Sequence, residues 1–111
     1  MTPDDFRALA LGLPQSVEKD HFGASSFRVA QKIFAQLSED GSTGLVKLPL
    51  EIQESVVTGY DGALWAEPNW GRHGWTRFNL ASTPAELVGY LLLSSWKTTA
   101  PRSLHELVSD P

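Results

Sequence analysis

The side chains best suited to chemistry do not combine into a recognisable catalytic set. The three histidines, His21, His73 and His105, lie far apart and lack the spacing of paired metal ligands. Ser94 and Ser95 fall inside a predicted helix, where a serine cannot occupy the sharp turn that exposes a nucleophile. Cysteine is absent, which excludes thiol nucleophiles, thiolate metal sites and disulfides. We therefore predict no enzymatic activity, no cofactor and no bound metal.

Length and composition indicate a single small domain. At 111 residues the chain suits one hydrophobic core, and we predict one domain over residues 1–111. The densest apolar run, Leu87–Leu93, is far shorter than the roughly 20 residues that a membrane helix needs. The first residues are acidic, where a secretory signal peptide is basic. We therefore predict a cytoplasmic protein that does not associate with membranes.

Charge is distributed unevenly along the chain. The net charge of −4 is unfavourable for a general polyanion binder, because phosphate contacts need positive charge. Residues 1–68 carry five Lys/Arg against ten Asp/Glu, whereas residues 69–102 carry four Lys/Arg against a single acidic residue, Glu86. This asymmetry fits either ordinary surface scatter or a locally basic surface.

Apolar periodicity and breaker residues predict the element order α-β-β-β-β-α-β-β-α. Thr2 is placed to cap the first helix, and Thr83 with Glu86 has the pattern of a capping box before the last helix. Between Ser16 and Leu48 the residues alternate with the period of strands joined by short turns, which favours antiparallel pairing. We predict an α+β fold of two layers, in which helices cover one antiparallel sheet.

Segments spread over most of the chain resemble one known family. These segments are a first helix ending at Gly12-Leu13-Pro14, strands containing Phe27–Val29, Lys32–Ala35 and Trp75, a helix start at Leu48-Pro49-Leu50 and a last helix with Leu92–Trp96. Together they resemble the MmcQ/YjbR-like family from about residue 3 to residue 98. The resemblance implies a two-layer α+β domain, and members of this family are commonly labelled DNA-binding by analogy with double-wing structures.

Strand alternation predicts two different faces for the sheet. We expect the helices to cover the face that contains Ile33, Ala35 and Phe78. The opposite face would then gather aromatic and polar side chains: Lys32, Phe34, Gln36, Trp75, Arg77 and Asn79. Lys47 and Trp65 are further candidates for this face, although alternation alone leaves their register open. Aromatic and cationic side chains together suit base stacking with phosphate contact, and they also suit the centre of a protein interface.

The segment from Trp70 to Trp75 joins the last two predicted strands and carries Arg72 and His73 between two glycines. One interpretation is a wing-like tip that contacts phosphate or base. The other is a glycine-rich hairpin that its tryptophans hold against the domain.

These observations favour a non-enzymatic binding domain and leave its partner open. If the partner is DNA, as the resemblance implies, cations contact phosphates and an aromatic ring stacks on bases. The candidate residues are Lys32, Phe34, Arg72, His73, Trp75, Arg77 and Lys97. The alternatives are a protein partner or a homodimer without any nucleic-acid role, and a small ligand under the Trp70–Trp75 loop.

Overall fold

The computed structural model describes residues 1–108, and its elements follow the predicted order. The helices are α1 (Pro3–Leu11), α2 (Leu50–Gly59) and α3 (Ala85–Thr99). The strands are β1 (Val17–His21), β2 (Ala24–Val29), β3 (Lys32–Leu37), β4 (Thr43–Lys47), β5 (Leu64–Ala66) and β6 (Trp75–Asn79). Short 3-10 turns lie at Gly71–His73 and Arg102–Leu107. Residues 109–111, which the predicted domain includes, lie outside the described part of the chain.

The strands of residues 1–108 form one antiparallel sheet of six strands in the order β1-β2-β3-β4-β6-β5. At one edge, β1 carries the charged residues Glu18, Lys19 and Asp20, and at the other edge β5 has only three residues. Charged or short edge strands disfavour pairing with a strand of another molecule. Both edges are therefore poor sites for extension of the sheet.

The helices pack against one face of the sheet, which confirms the predicted two-layer α+β architecture. Phe6 of α1 packs against Phe27 of β2 and Phe78 of β6, with ring centroids 5.7 and 6.0 Å apart. Trp96 of α3 is fully buried, and its Nε1 donates a hydrogen bond to the Pro14 carbonyl oxygen at 3.0 Å. No helix within residues 1–108 is long and apolar enough to cross a membrane.

A β-bulge in β3 changes which side chains face the helices. Phe27 of β2 pairs with Ala35, and the next residue, Arg28, pairs with Ile33, so Phe34 is an extra residue in β3. Phe34 and Ala35 are both fully buried in the core. Ile33 instead lines the face of the sheet that the helices leave uncovered.

The predicted faces of β3 are therefore wrong at its start. Simple alternation places Phe34 on the uncovered face and Ile33 under the helices, because it assumes that no residue is inserted. Lys32 pairs with Val29, which is fully buried in the core, so the register also removes Lys32 from the uncovered face. Lys32 is exposed at the end of the hairpin. Gln36, beyond the bulge, lies on the uncovered face as predicted.

The hydroxyl of Ser95 in α3 joins the two central strands beside this bulge. It accepts a hydrogen bond from the Lys47 backbone N–H at 2.8 Å and donates one to the Phe34 carbonyl oxygen. The paired residues of β3 and β4 end at Ala35 and Val46, one residue before these two groups. The buried hydroxyl therefore supplies the partners that the ladder between β3 and β4 does not provide there.

The two threonine–proline pairs begin their helices differently. Thr2 caps α1 as predicted, since its hydroxyl accepts a hydrogen bond from the Asp5 N–H and its own N–H donates to the Asp5 carboxylate. This backbone hydrogen bond lowers the pKa of Asp5. The predicted capping box at Thr83 is wrong: Pro84 has an extended backbone (ψ 139°), so α3 begins only at Ala85. The buried Thr83 hydroxyl has no hydrogen-bond partner within residues 1–108.

We predict that Ser95→Ala lowers the free energy of unfolding by about 1–3 kcal/mol, because it leaves two buried backbone groups without partners. Chemical denaturation monitored by tryptophan fluorescence measures the change. Ser55→Ala, at an exposed position of α2, is the matched control and should alter the same free energy by less than about 0.5 kcal/mol. Equal effects of the two substitutions would contradict the role assigned to the Ser95 hydroxyl.

Candidate functional site

A continuous row of paired residues crosses the face of the sheet opposite the helices, which we call the open face. The row takes one residue from each strand: Lys19, Ser26, Gln36, Leu45, Arg77 and Trp65. Beside this row, Arg28 pairs with Ile33 and Lys47 pairs with Trp75. The register therefore places Lys47 and Trp65 on the open face together with Trp75 and Arg77.

The strands separate their charges between the two faces of the sheet. Four strand cations lie on the open face: Lys19, Arg28, Lys47 and Arg77. The acidic residue Glu18 pairs with Phe27, a core residue, and Asp20 lies two positions further along the same strand. Both carboxylates therefore belong to the helix side, where Arg7 of α1 contacts Glu18 at 3.0 Å.

A cleft of about 370 Å³ lies over the middle of the open face. Ile33 and Leu45 give it an apolar floor from the two central strands, and Trp70 and Trp75 contribute aromatic rings. The remaining lining residues are polar or charged: His21, Gln36, Glu67 and Arg77. Aliphatic, aromatic and polar groups that converge in one concave site are typical of ligand binding.

Arg77 and Glu67 form an ion pair within this cleft. Arg77 Nε donates to Glu67 Oε2 at 2.6 Å and Nη2 donates to Oε1 at 3.1 Å, a bidentate arrangement. Nη1 also donates to Thr43 Oγ1 at 3.0 Å. The two side chains are only 23% and 22% exposed, so Glu67 neutralises Arg77 at close range.

Hydrogen bonds fix the loop beside the cleft to the rest of the domain. Gln53 of α2 donates from Nε2 to the Gly71 carbonyl oxygen at 2.9 Å and to Thr76 Oγ1 at 3.1 Å. The Leu48 N–H donates to the Gly74 carbonyl oxygen at 2.9 Å. Gly74 has a φ of 97°, a left-handed conformation that suits glycine, and a Cβ there would lie 2.0 Å from the Leu48 carbonyl oxygen. These contacts set the position of the loop relative to the strands.

Exposed aromatic rings lie at the rim of the open face. Trp70 is 60% exposed and Trp65 is 37% exposed. Phe22 is 95% exposed at the turn between β1 and β2, and its ring centroid lies 4.8 Å from that of the cleft residue His21. Its φ of 53° is uncommon for a bulky residue. Phe22 directly precedes Gly23, and a large apolar residue beside a turn-forming glycine is the sequence signal that could have identified it.

The structure divides the predicted site residues among different regions. Trp75 and Arg77 line the cleft. Arg72 and His73 are exposed in the 3-10 turn beside it, where Arg72 Nε donates to His73 Nε2 at 3.3 Å. The others lie away from the open face: Lys32 at the hairpin end, Phe34 in the core, and Lys97 on α3 beside Ile52 and Tyr90.

Sequence analysis missed several residues of the cleft: His21, Ile33, Leu45 and Glu67. Ile33 was assigned to the helix side, because strand alternation does not predict the bulge that moves it to the open face. Glu67 lies two residues after Trp65, and this spacing is the signal that could have placed it on the same face.

Comparisons with known proteins agree on the fold. A family model described as YjbR matches residues 11–98. A crystal structure of a Deinococcus radiodurans protein, described as a DUF419 domain, has a TM-score of 0.79 and 22% identity, covering 99% of this chain and 89% of that one. A Pseudomonas syringae protein has a TM-score of 0.71 and 14% identity, covering 89% of this chain and 99% of that one. No curated protein matches this chain. At these identities the structural likeness shows the fold alone.

We predict that Gly74→Ala lowers the free energy of unfolding by more than about 3 kcal/mol or prevents folding. The added Cβ would overlap the Leu48 carbonyl oxygen, and the positive φ would strain alanine. Gly59→Ala is the matched control: no atom lies within 4 Å of an added Cβ there, and stability should be unchanged or rise by up to about 1 kcal/mol. Thermal denaturation compares them, and a normal melting curve for Gly74→Ala would contradict the placement of this loop.

Proposed function

This chain belongs to the YjbR family, and we propose that it acts as a small, non-enzymatic binding domain of the cytosol whose partner lies across the open face. The partner class with the best support is single-stranded nucleic acid. Lys19, Arg28 and Lys47 would contact phosphates, while exposed tryptophan rings would stack on bases.

The observation that carries this proposal is the presence of cations and tryptophans on one face of the sheet. Lys19, Arg28 and Lys47 share the open face with Trp65 and Trp75, and Trp70 borders the same cleft. Proteins that bind single strands combine a positive surface along the backbone with aromatic platforms for the bases. None of the strand residues that the register places on the open face is acidic, and Glu67 lies just after the end of β5.

The net charge of −4 does not oppose such a partner, because contact depends on local charge. Much of the negative charge lies on the helices: Asp4 and Asp5 in α1, Glu51 and Glu54 in α2, and Glu86 in α3. These helices cover the opposite face of the sheet. The helices therefore carry five acidic residues against two basic ones, Arg7 and Lys97, whereas the strand positions of the open face carry cations and no carboxylate.

The structural roles of the reactive side chains support a function without catalysis. The Ser95 hydroxyl is committed to two backbone groups of the sheet. Asp40 accepts hydrogen bonds from the N–H and hydroxyl of Ser42 and from the hydroxyl of Ser38, and these lower its pKa. Ser95 stabilises the contact of α3 with the sheet, and Asp40 stabilises a turn. These structural roles account for both side chains without any catalytic role.

We predict that a labelled single-stranded oligonucleotide binds with an affinity that falls steeply between about 50 and 200 mM salt. Lys47→Ala should reduce the slope of log affinity against log salt by about 0.7 to 1, because one phosphate contact is lost. Arg102→Ala removes the same charge from the exposed C-terminal turn and should leave the slope unchanged. Fluorescence anisotropy measures both slopes.

Lys47 is a better test than Arg77, because removal of Arg77 would leave the Glu67 carboxylate unpaired. The absence of binding at low salt would reject the nucleic-acid partner. Equal slopes for Lys47→Ala and Arg102→Ala would reject the open face as its site.

The exposure of Phe22 favours a second candidate function, a protein partner or a homodimer. An aromatic ring that is 95% exposed at a turn is well placed to enter a pocket of another protein. The edge strands disfavour pairing by sheet extension, so such a contact would use the turn between β1 and β2.

If Phe22 anchors a homodimer, light scattering should give twice the monomer mass for the wild-type protein and the monomer mass for Phe22→Ser. Leu50→Ser, at a 55% exposed position in the first turn of α2, is the matched control and should keep the dimer mass. A monomer mass for the wild-type protein at high concentration would reject the homodimer.

A further inference from the structure

The cleft differs in charge from the surface around it. Inside it, the Arg77 guanidinium and the Glu67 carboxylate neutralise each other. Around it, Lys47 is the strand neighbour of the cleft residue Trp75, and Arg72 is exposed in the adjoining turn. An uncharged group therefore suits the cleft, while an anionic group suits its surroundings.

Gln36 offers hydrogen bonds within this cleft that the described part of the chain does not use. Its side chain lines the cleft between the apolar residues Ile33 and Leu45 and makes no hydrogen bond with another residue of 1–108. A carboxamide presents one acceptor and one donor side by side in a plane. Its complement is a flat ring with an adjacent donor and acceptor on one edge, an arrangement that each nucleobase offers when it is unpaired, adenine at N6 and N7 among them.

The size of the cleft is suited to a ligand of one ring system. Ligand sites typically enclose roughly 300–1,000 Å³, and the volume here is about 370 Å³. This is at the small end of the range, which suits one base rather than a stacked pair. Trp70 and Trp75 supply the aromatic surfaces on which such a ring can stack.

We propose that the cleft is a nucleobase pocket that receives one unpaired base, with the Gln36 carboxamide at its hydrogen-bonding edge. This inference rests on the proposed function and deepens it: the phosphates on either side of the captured base lie against Lys47 and Arg72. A paired base cannot enter, because both its edge and its faces are already engaged in the duplex. The pocket therefore distinguishes single strands from duplexes.

The test compares oligonucleotides of equal length and charge by fluorescence anisotropy. A deoxyadenosine oligomer should bind roughly 5- to 100-fold more tightly than an abasic oligomer with the same phosphates, because each stacked base contributes about that much. Trp70→Ala removes a ring that is 60% exposed and should reduce this ratio. Gln36→Leu, close in size, should also reduce the ratio between the adenine and abasic oligomers and leave the salt slope unchanged.

The outcomes separate the pocket from the proposed function. Lys47→Ala should weaken both oligomers equally and keep the ratio between them. Equal affinity of the abasic and adenine oligomers for the wild-type protein would overturn the pocket and leave nucleic-acid binding standing. No binding of either oligomer at low salt would overturn both. If Gln36→Leu fails to fold, the Trp70→Ala ratio decides the matter.

Discussion

The Ser95 hydroxyl lies between the Phe34 carbonyl oxygen and the Lys47 N–H, and this contact joins the last helix to the two central strands beside the bulge. A bulge leaves backbone groups without ladder partners, and a buried group without a partner is destabilising. Ser95 from α3 satisfies both groups and allows β3 to keep its extra residue. With the bulge in place, Phe34 enters the core and Ile33 reaches the open face. The last helix thus helps to determine which side chains the far side of the sheet presents.

Local sequence signals predicted the helices and strands of this fold, but not the bulge in β3 or the absence of a cap at Thr83. Short turns and two-residue alternation were sufficient for the antiparallel order of strands, because each hairpin is a contact between neighbours in sequence. The cap at Thr2 was predictable for the same reason, whereas Thr83 has the same local pattern and no capping role. The difference lies in the backbone of Pro84, which is extended (ψ 139°), so α3 begins only after the proline. The bulge at Phe34 likewise has a distant partner, because its carbonyl oxygen accepts a hydrogen bond from Ser95, 61 positions away in sequence.

The candidate site was predictable only in part, because a sheet face is assembled by register. Trp75 and Arg77 share a strand, so alternation alone was enough to place them together. Lys47 and Trp65 required the pairing of β4 and β5 with β6, which no local pattern gives. The net charge of the chain was a poor guide to the charge of the open face for a related reason. It sums the charged residues of both faces, although the strand cations and the helix carboxylates lie on different faces. Local charge is also hard to predict from sequence, because the carboxylate of Glu67 pairs with the Arg77 guanidinium and neutralises it.

The contacts of α3 also have a consequence for the order in which the domain folds during synthesis. The meander from β1 to β4 is complete at residue 47, but the helix that satisfies its central strands spans Ala85–Thr99. At roughly 5–20 residues per second, translation separates the two by about 2 to 10 s. Throughout that interval the bulged strand lacks its serine partner, and the apolar side of the meander lacks its largest cover. The nascent meander therefore exposes apolar surface until α3 has been synthesised, and exposed apolar surface favours aggregation.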